Sequence, residues 1–430
     1  MAVELYTGQR EDACFYCKIA KKIVSKVLEK GGEAFGLSDE EIKERFKDPY
    51  WGKALASAVK GVALFGIHQP FTPGAPFQIV WDVTYACNLK CKHCYATAGK
   101  IWKDELTTEE AKRAIDIFAR AGVTIIAFSG GEPLVRPDIF ELTKYAADKG
   151  IYVAIATNAT LIDEKKAREM KEAGIRFVQI SLDGATPETH DLFRGIEGAY
   201  DKTIQGIKNC VKEGFFVEIS TTATKHNYNE IPKIIDLCEK LGVDWFMAFN
   251  FVPTGRGKYI VENDLSPDER EEMLKMLWHR LQNSCINILS TAPQFARVAL
   301  QQEGKEEEKI VPTHFYNPVL GGQLVDLAEF IGGCGAGRFY MGMRANGDLQ
   351  PCVFFPLKLG NILEDLWINN KSFHRERDKD LLKGCNTCEY RYYCGGCRAR
   401  AYGYFGDYLS PDPGCINNKE ICVKVIEKWI

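Results

Sequence analysis

The sequence predicts an α/β chain: a partial (β/α)6 TIM-like barrel, preceded by an N-terminal helical layer and followed by a C-terminal cysteine-rich domain. Three observations lead there. From residue 77 onward short β-rich runs alternate with helical patterns, as parallel βα units do. The first 76 residues precede these units and contain a helical pattern. Seven cysteines crowd between positions 334 and 415, after the last βα unit.

The elements follow in order. Residues 1–76 form the N-terminal region, where WGKALASAVKGVALFG places Leu55, Val59 and Val62 on one helical face. That face predicts a helix packed against the barrel, with a membrane-surface or substrate-lid role as the alternative. The N-terminus has early acids and no apolar core of a signal peptide, so the expected location is cytoplasmic. Gly61 to Trp81 contains no Asp, Glu, Lys or Arg, but Pro70, Pro73 and Pro76 interrupt it, so no transmembrane segment is expected; membrane-surface contact stays open.

Residues 77–264 form the barrel. The strands are predicted at 77–84, 124–129, 152–158, 176–183, 216–222 and 244–250. Helical patterns lie between them, and in the first Thr107 with Glu110 reads as a capping box and Gly122 as a stop. The others run through 138–149, 163–173, 200–213 and 229–241. Six units imply a partial barrel whose chemistry sits on the loops after the strand C-termini. Residues 265–330 read as a polar, helical bridge with a solvated charge run, EGKEEEK, at 303–309. Residues 331–430 form the cysteine-rich domain.

Composition narrows the function. A 430-residue chain with 46% apolar and 26% charged residues is an ordinary globular protein. A net charge of −3 supplies no basic stripe, so no nucleic-acid partner is expected. Sixteen cysteines, grouped rather than scattered, point to metal rather than disulfides. Cys210, Cys238, Cys285 and Cys422 stand apart and read as inert core; His93, His190 and His226 read as packing or hydrogen-bonding residues.

Cys87, Cys91 and Cys94 put three thiols within one short loop after the first strand. Soft sulfur ligands select iron–sulfur clusters or zinc, and an odd count of three favours a cubane with one open iron over a closed zinc site. The CxxxCxxC spacing resembles that of the radical S-adenosylmethionine superfamily. The resemblance implies a [4Fe-4S] cluster on these cysteines whose free iron is chelated by the methionine moiety of S-adenosyl-L-methionine. Ser129-Gly130-Gly131-Glu132-Pro133 after the second strand is similar to the family's GGEP motif, which binds the methionine amino group. Thr157-Asn158 and Ser181-Leu182-Asp183-Gly184 end the third and fourth strands. The resemblance makes Thr157, Asn158, Ser181 and Asp183, with Arg194, candidate contacts to the cofactor; strand caps and turn formers are the alternative.

Cys334, Cys352, Cys385, Cys388, Cys394, Cys397 and Cys415 follow a pattern too tight between its two CxxC pairs for a zinc ribbon. It resembles the SPASM extension of radical enzymes, and the tail from Tyr393 to Cys415 resembles that of haem-synthesis members. This implies one or two auxiliary [4Fe-4S] clusters: Cys385, Cys388, Cys394 and Cys415 holding a distal one, and Cys334, Cys352 and Cys397 a nearer one. The nearer set has three cysteines; its fourth ligand would be Cys14 or Cys17, a non-cysteine side chain or substrate.

The resemblance implies reductive cleavage of S-adenosylmethionine to a 5′-deoxyadenosyl radical that takes hydrogen from a C–H bond. The partners implied are a low-potential ferredoxin or flavodoxin and a large organic substrate, peptide or tetrapyrrole, with an oxidative outcome such as bond formation or decarboxylation. C–C bond formation on lipid chains is the rival reaction. An arginine set at the barrel mouth would favour tetrapyrrole; few charges would favour lipid. A non-catalytic iron–sulfur carrier and a zinc-binding module are the rival classes.

Overall fold

The computed structural model describes residues 2–34, 38–302, 330–361, 367 and 377–426. The charge run at 303–309 lies outside the described residues, as does the Cys422 side chain.

Four helices form the N-terminal layer: α1 (Ala2–Tyr6), α2 (Phe15–Ala34), α3 (Asp39–Phe46) and α4 (Pro49–Phe65). Ser38 and Glu41 make a capping box at α3, and Asp48 caps α4 with Pro49 in its first turn. The expected packing face of α4 is corrected. Its buried residues are Ser57 and Gly61, whereas Val59 and Val62 are 60% and 39% exposed. Small residues win because the chain at 72–75 returns against the helix: a Cβ on Gly61 would stand 2.3 Å from the Thr72 carbonyl oxygen, and the Gly74 amide donates to the Ser57 carbonyl. Leu55 packs instead with Tyr6, Leu28, Ile42 and Phe46 inside the layer. The start of α4 docks on the barrel floor, where Tyr50 lies 5.5 Å from Tyr152 and Asp48 pairs with Arg176 at 2.6 Å.

The six predicted strands are present as β1 (Gln78–Thr84), β2 (Ile125–Gly130), β3 (Tyr152–Thr157), β4 (Ile175–Ser181), β5 (Phe216–Ala223) and β6 (Trp245–Asn250). Four more join them: β7 (Asn287–Ser290), β8 (Tyr340–Met343), β9 (Asp348–Gln350) and β10 (Gly360–Asn361). The sheet runs β10-β9-β8-β1-β2-β3-β4-β5-β6-β7. The strands β1 to β7 pair in parallel, β8 adds in parallel to β1, and β9 and β10 turn back antiparallel. The barrel is therefore partial, open between its outer strands. The strands β7 and β8 escape the sequence pattern because four residues are too few to show a period of two.

Alternation decides which side chains meet the helices. Ile79, Trp81, Val83, Ile126, Phe128, Val153, Val178 and Ile180 face the helical shell in one core. Gln78, Val80, Ala127, Ala154, Ala156, Gln179 and Ser181 line the lumen. A closed barrel fills its interior with branched residues; the alanines here leave space.

The shell helices are α5 (Thr108–Ala121), α6 (Ile139–Asp148), α7 (Glu164–Glu172), α8 (Pro187–Arg194), α9 (Ala199–Lys212), α10 (Ile231–Leu241), α11 (Pro267–Asn283) and α12 (Gln294–Gln302). The Thr107–Glu110 capping box is present, and Gly122 ends α5 at φ 98°. Helix α8 is absent from the sequence reading. Thr186 caps it, Pro187 starts it, and Gly195 at φ 76° ends it, carrying Arg194 to the barrel mouth.

A buried ion network ties the C-terminal domain to the barrel. Asp264 takes Arg270 at 2.7 Å and Arg400 at 2.6 Å, and Arg400 also reaches Asp412 at 3.2 Å. Asp412 in turn accepts the Cys397 amide at 2.7 Å. Burial alone would raise the Asp264 carboxyl, but the two guanidiniums hold it below its ordinary range.

Candidate active site

Strand β1 ends at Thr84 and delivers Cys87, Cys91 and Cys94 to the top of the barrel. Cys91 is buried, its two partners half-buried. Backbone amides already turn toward sulfur: Leu89 donates to Cys87 and Ala98 to Cys94, each at 3.4 Å. Burial pushes the Cys87 thiol up to about 12, against the pull of the Leu89 amide. Gly130 and Gly131 pack on the chain's own backbone: a Cβ on Gly131 would sit 2.1 Å from the Ala86 carbonyl oxygen, and one on Gly130 2.3 Å from that of Thr84. The pair locks the β2 loop to the cysteine loop through Gly131 N–H to Thr84 O and Glu132 N–H to Ala86 O.

Glu132 is fully buried behind this wall. Its carboxylate accepts Thr157 Oγ1 and the Asn158 amide, each at 2.8 Å. Burial pushes it up to about 7, against the pull of those hydrogen bonds. Asp183 is likewise buried, accepting the Thr222 amide at 2.7 Å and pairing with Arg194 at 2.5 Å. Burial would raise it, but Arg194 holds it below its ordinary value. Neither carboxylate lines the cavity, whereas Gly130, Gly131, Thr157, Asn158, Ser181 and Arg194 do.

Arg194 reaches past Asp183 to the Cys91 sulfur at 3.7 Å. His93 stacks on Phe193 at 4.1 Å, and burial holds it down to about 3, so it stands neutral 3.5 Å from Asp183. His190 accepts the Asp183 amide, and His226 bonds the Thr189 carbonyl. Both play the hydrogen-bonding role expected. Arg256 was not foreseen: it donates to the carbonyls of Cys91 at 2.8 Å and Ala98 at 2.6 Å, clamping the loop from the end of β6. No spacing motif marks it.

Burial raises the Cys394 thiol, with Cys415 and Cys385 nearby adding to the rise and Arg297 opposing it. Burial also raises Cys397, which has Cys334 and Cys352 near it. Cys334, Cys352 and Cys397 line the same cavity as Cys87, Cys91 and Cys94. Tyr340 stands among the nearer three and donates to Cys352 Sγ at 2.6 Å. Cys14 and Cys17 contact each other on the N-terminal layer. Cys210 and Cys238 are core residues as expected, but Cys285 is exposed.

This arrangement defines an iron–sulfur enzyme class: a cubane-type cysteine loop at the mouth of an open barrel, facing auxiliary cysteines across one cavity. The family model of the radical SAM superfamily matches residues 81–238 and that of the SPASM iron–sulfur cluster-binding domain residues 334–389. The AdoMet-dependent haem synthase of Methanosarcina barkeri is 40% identical over 350 residues, 80% of this chain and 97% of its own length. The Fe-coproporphyrin III synthase of the same organism is 33% identical over 368 residues, 80% of this chain and 88% of its own. Streptococcus suis SuiB, in a crystal structure bound to S-adenosylmethionine, shares the fold at TM-score 0.65 and 19% identity, over 93% of this chain and 89% of its own. The chain belongs to the radical SAM superfamily, with a SPASM auxiliary-cluster domain. It is an enzyme whose cofactors are a [4Fe-4S] cluster, S-adenosyl-L-methionine and auxiliary iron–sulfur clusters. When bound, the first cluster and S-adenosylmethionine supply a 5′-deoxyadenosyl radical. Among the described residues no helix is long and apolar enough to cross a membrane.

Proposed function

We propose that this enzyme oxidises a side chain of a tetrapyrrole, its class of outcome being decarboxylation or dehydrogenation. The observation that carries the reading is one cavity of about 590 Å³ reaching from the Cys87–Cys94 loop to Cys334, Cys352 and Cys397. Its walls are aromatic: Tyr95, Phe249, Phe251 and Phe354 beyond the strand C-termini, and Tyr152, Phe177, Phe216, Trp245 and Tyr340 near the strand starts. Flat rings suit a planar conjugated ligand and exclude water from the reacting carbon. The tetrapyrrole named for the Methanosarcina relative supports the same choice. In this reading Ser181, Thr157 and Asn158 orient the S-adenosylmethionine, Arg194 and Arg256 hold the first cysteine loop in register, and the nearer auxiliary cysteines face the substrate. The electron donor is a low-potential ferredoxin or flavodoxin.

A second reading rests on charge. Among the described residues the charged side chains lining the cavity are Arg194, Arg256 and Glu218, and both arginines are committed to the cysteine loop and Asp183. That scarcity favours an apolar chain such as a lipid. Anaerobic incubation of the reduced enzyme with iron coproporphyrin III or with isolated polar lipids separates the two. Substrate-dependent 5′-deoxyadenosine together with a mass loss on the porphyrin supports the first; deoxyadenosine with lipid alone overturns it.

A further inference from the structure

Cys14 and Cys17, named above as candidates for the fourth ligand of the nearer set, do not line the cavity that holds Cys334, Cys352 and Cys397. Cys14 directly precedes α2 and Cys17 lies in its first turn. Their sulfurs are 2.7 Å apart, and the Cys17 amide donates to Cys14 Sγ at 3.3 Å. Cys14 is exposed and Cys17 half-buried, so a reagent reaches Cys14 first. The Cys-x-x-Cys spacing across a helix start brings both sulfurs within reach of a bond after a small side-chain rotation. The first amides of a 20-residue helix add partial positive charge next to Cys14, which favours its thiolate. The hydrogen bond from the Cys17 thiol is the largest influence holding the Cys14 thiol below its ordinary value, and that same bond leads in raising Cys17. The asymmetry is that of an attacking and a resolving cysteine.

We propose that Cys14 and Cys17 form a dithiol site that exchanges with disulfide-bearing molecules and cycles to an intramolecular disulfide. The Cys14 thiolate attacks one sulfur of the incoming disulfide; that S–S bond breaks and its other sulfur leaves as a thiolate. Cys17 gives its proton to solvent and attacks Cys14 Sγ, breaking the mixed disulfide and releasing the second thiol. Two protein thiols lose two electrons, and one disulfide becomes two thiols. The site lies on the layer whose Tyr50 and Trp51 border the catalytic cavity from below, away from the reaction itself.

The test uses the anaerobic holoenzyme, equilibrated in mixtures of reduced and oxidised glutathione, alkylated and digested with trypsin. The peptide from Glu11 to Lys18 carries both cysteines and no other. The proposal expects this peptide to convert to an internal disulfide, two hydrogens lighter, at a defined glutathione ratio, while exposed Cys285 gains only a glutathione adduct. In Cys17→Ser the mixed disulfide on Cys14 should accumulate, and Cys14 should be alkylated about tenfold faster than Cys285 near neutral pH. Alkylation of both Cys14 and Cys17 at every ratio, or a Cys14 no faster than Cys285, overturns it. Cys14→Ser should leave 5′-deoxyadenosine formation unchanged; its loss would instead place the pair in the catalytic machinery and overturn the assignment.

Discussion

Arg194 sits 2.5 Å from the buried carboxylate of Asp183 and 3.7 Å from the sulfur of Cys91, joining an ion pair inside the β4 end to the cluster loop. Removing the guanidinium leaves Asp183 buried and unpaired, which costs roughly 3–5 kcal/mol. Arg194→Gln is therefore expected to lower the urea midpoint sharply and to shift the first cluster to a more negative potential, because a positive donor to a ligand sulfur is gone. Potentiometric titration followed by electron paramagnetic resonance reads the second effect. An unchanged potential with lowered stability would confine Arg194 to a structural role.

Asp82, Glu132 and Glu218 are each pushed by burial up to about 7, against an unfolded value of about 4. The folded chain therefore keeps protons that the unfolded chain releases. The stability these groups contribute is fully present below about pH 4 and is lost as pH rises through about 7. Buried His93 and His190, lowered to about 3 and about 4, act with the opposite sign over the same range, so the carboxyl contribution is read as the difference between wild type and a single-carboxyl variant in urea unfolding at several pH values. Glu218→Gln, which keeps a partner for Gln179, should remove on the order of 1–3 kcal/mol of that contribution. A Glu218→Gln chain with the same pH slope as wild type would contradict the assignment.

A Cβ at Gly131 meets the Ala86 carbonyl oxygen at 2.1 Å, and neither backbone can yield without moving the cysteine loop. Gly131→Ala is expected to destabilise the fold by about 3 kcal/mol and to lose the first cluster while the auxiliary iron remains. Iron and sulfide analysis would show roughly one cubane fewer per chain; full iron content would refute this.

Tyr340 donates its hydroxyl proton to the sulfur of Cys352. Hydrogen bonds to ligand sulfur raise a cluster's potential, so Tyr340→Phe should lower that of the nearer auxiliary cluster by tens of millivolts, as a bond of about 1 kcal/mol implies. The first cluster's signal serves as the internal reference, and an equal shift in both would point to a general disturbance.

The local motifs were legible because short backbone geometry binds their members together. The Cys87–Cys94 spacing, the Gly130-Gly131-Glu132 turn, the Thr107–Glu110 capping box and the Gly122 stop each lie within a few residues, where helix and turn geometry leave few alternatives. Six strand positions followed from the same local patterns. The α4 face was misread because periodicity reports which residues align on a helix, not what arrives to cover them; the returning segment at 72–75 selected Gly61 and Ser57.

The sequence alone therefore determined the chemistry: thiols in cubane spacing, a glycine turn beside them, and a cysteine-rich C-terminal region. Tertiary structure alone decided how that chemistry is held. It set Glu132 and Asp183 inside the wall, brought Arg256 across 165 positions to Cys91, and placed Tyr340 beside Cys352. The reason is range: local spacing survives in any compact conformation, whereas contacts between distant residues exist only after the strands have paired and the chain has returned on itself.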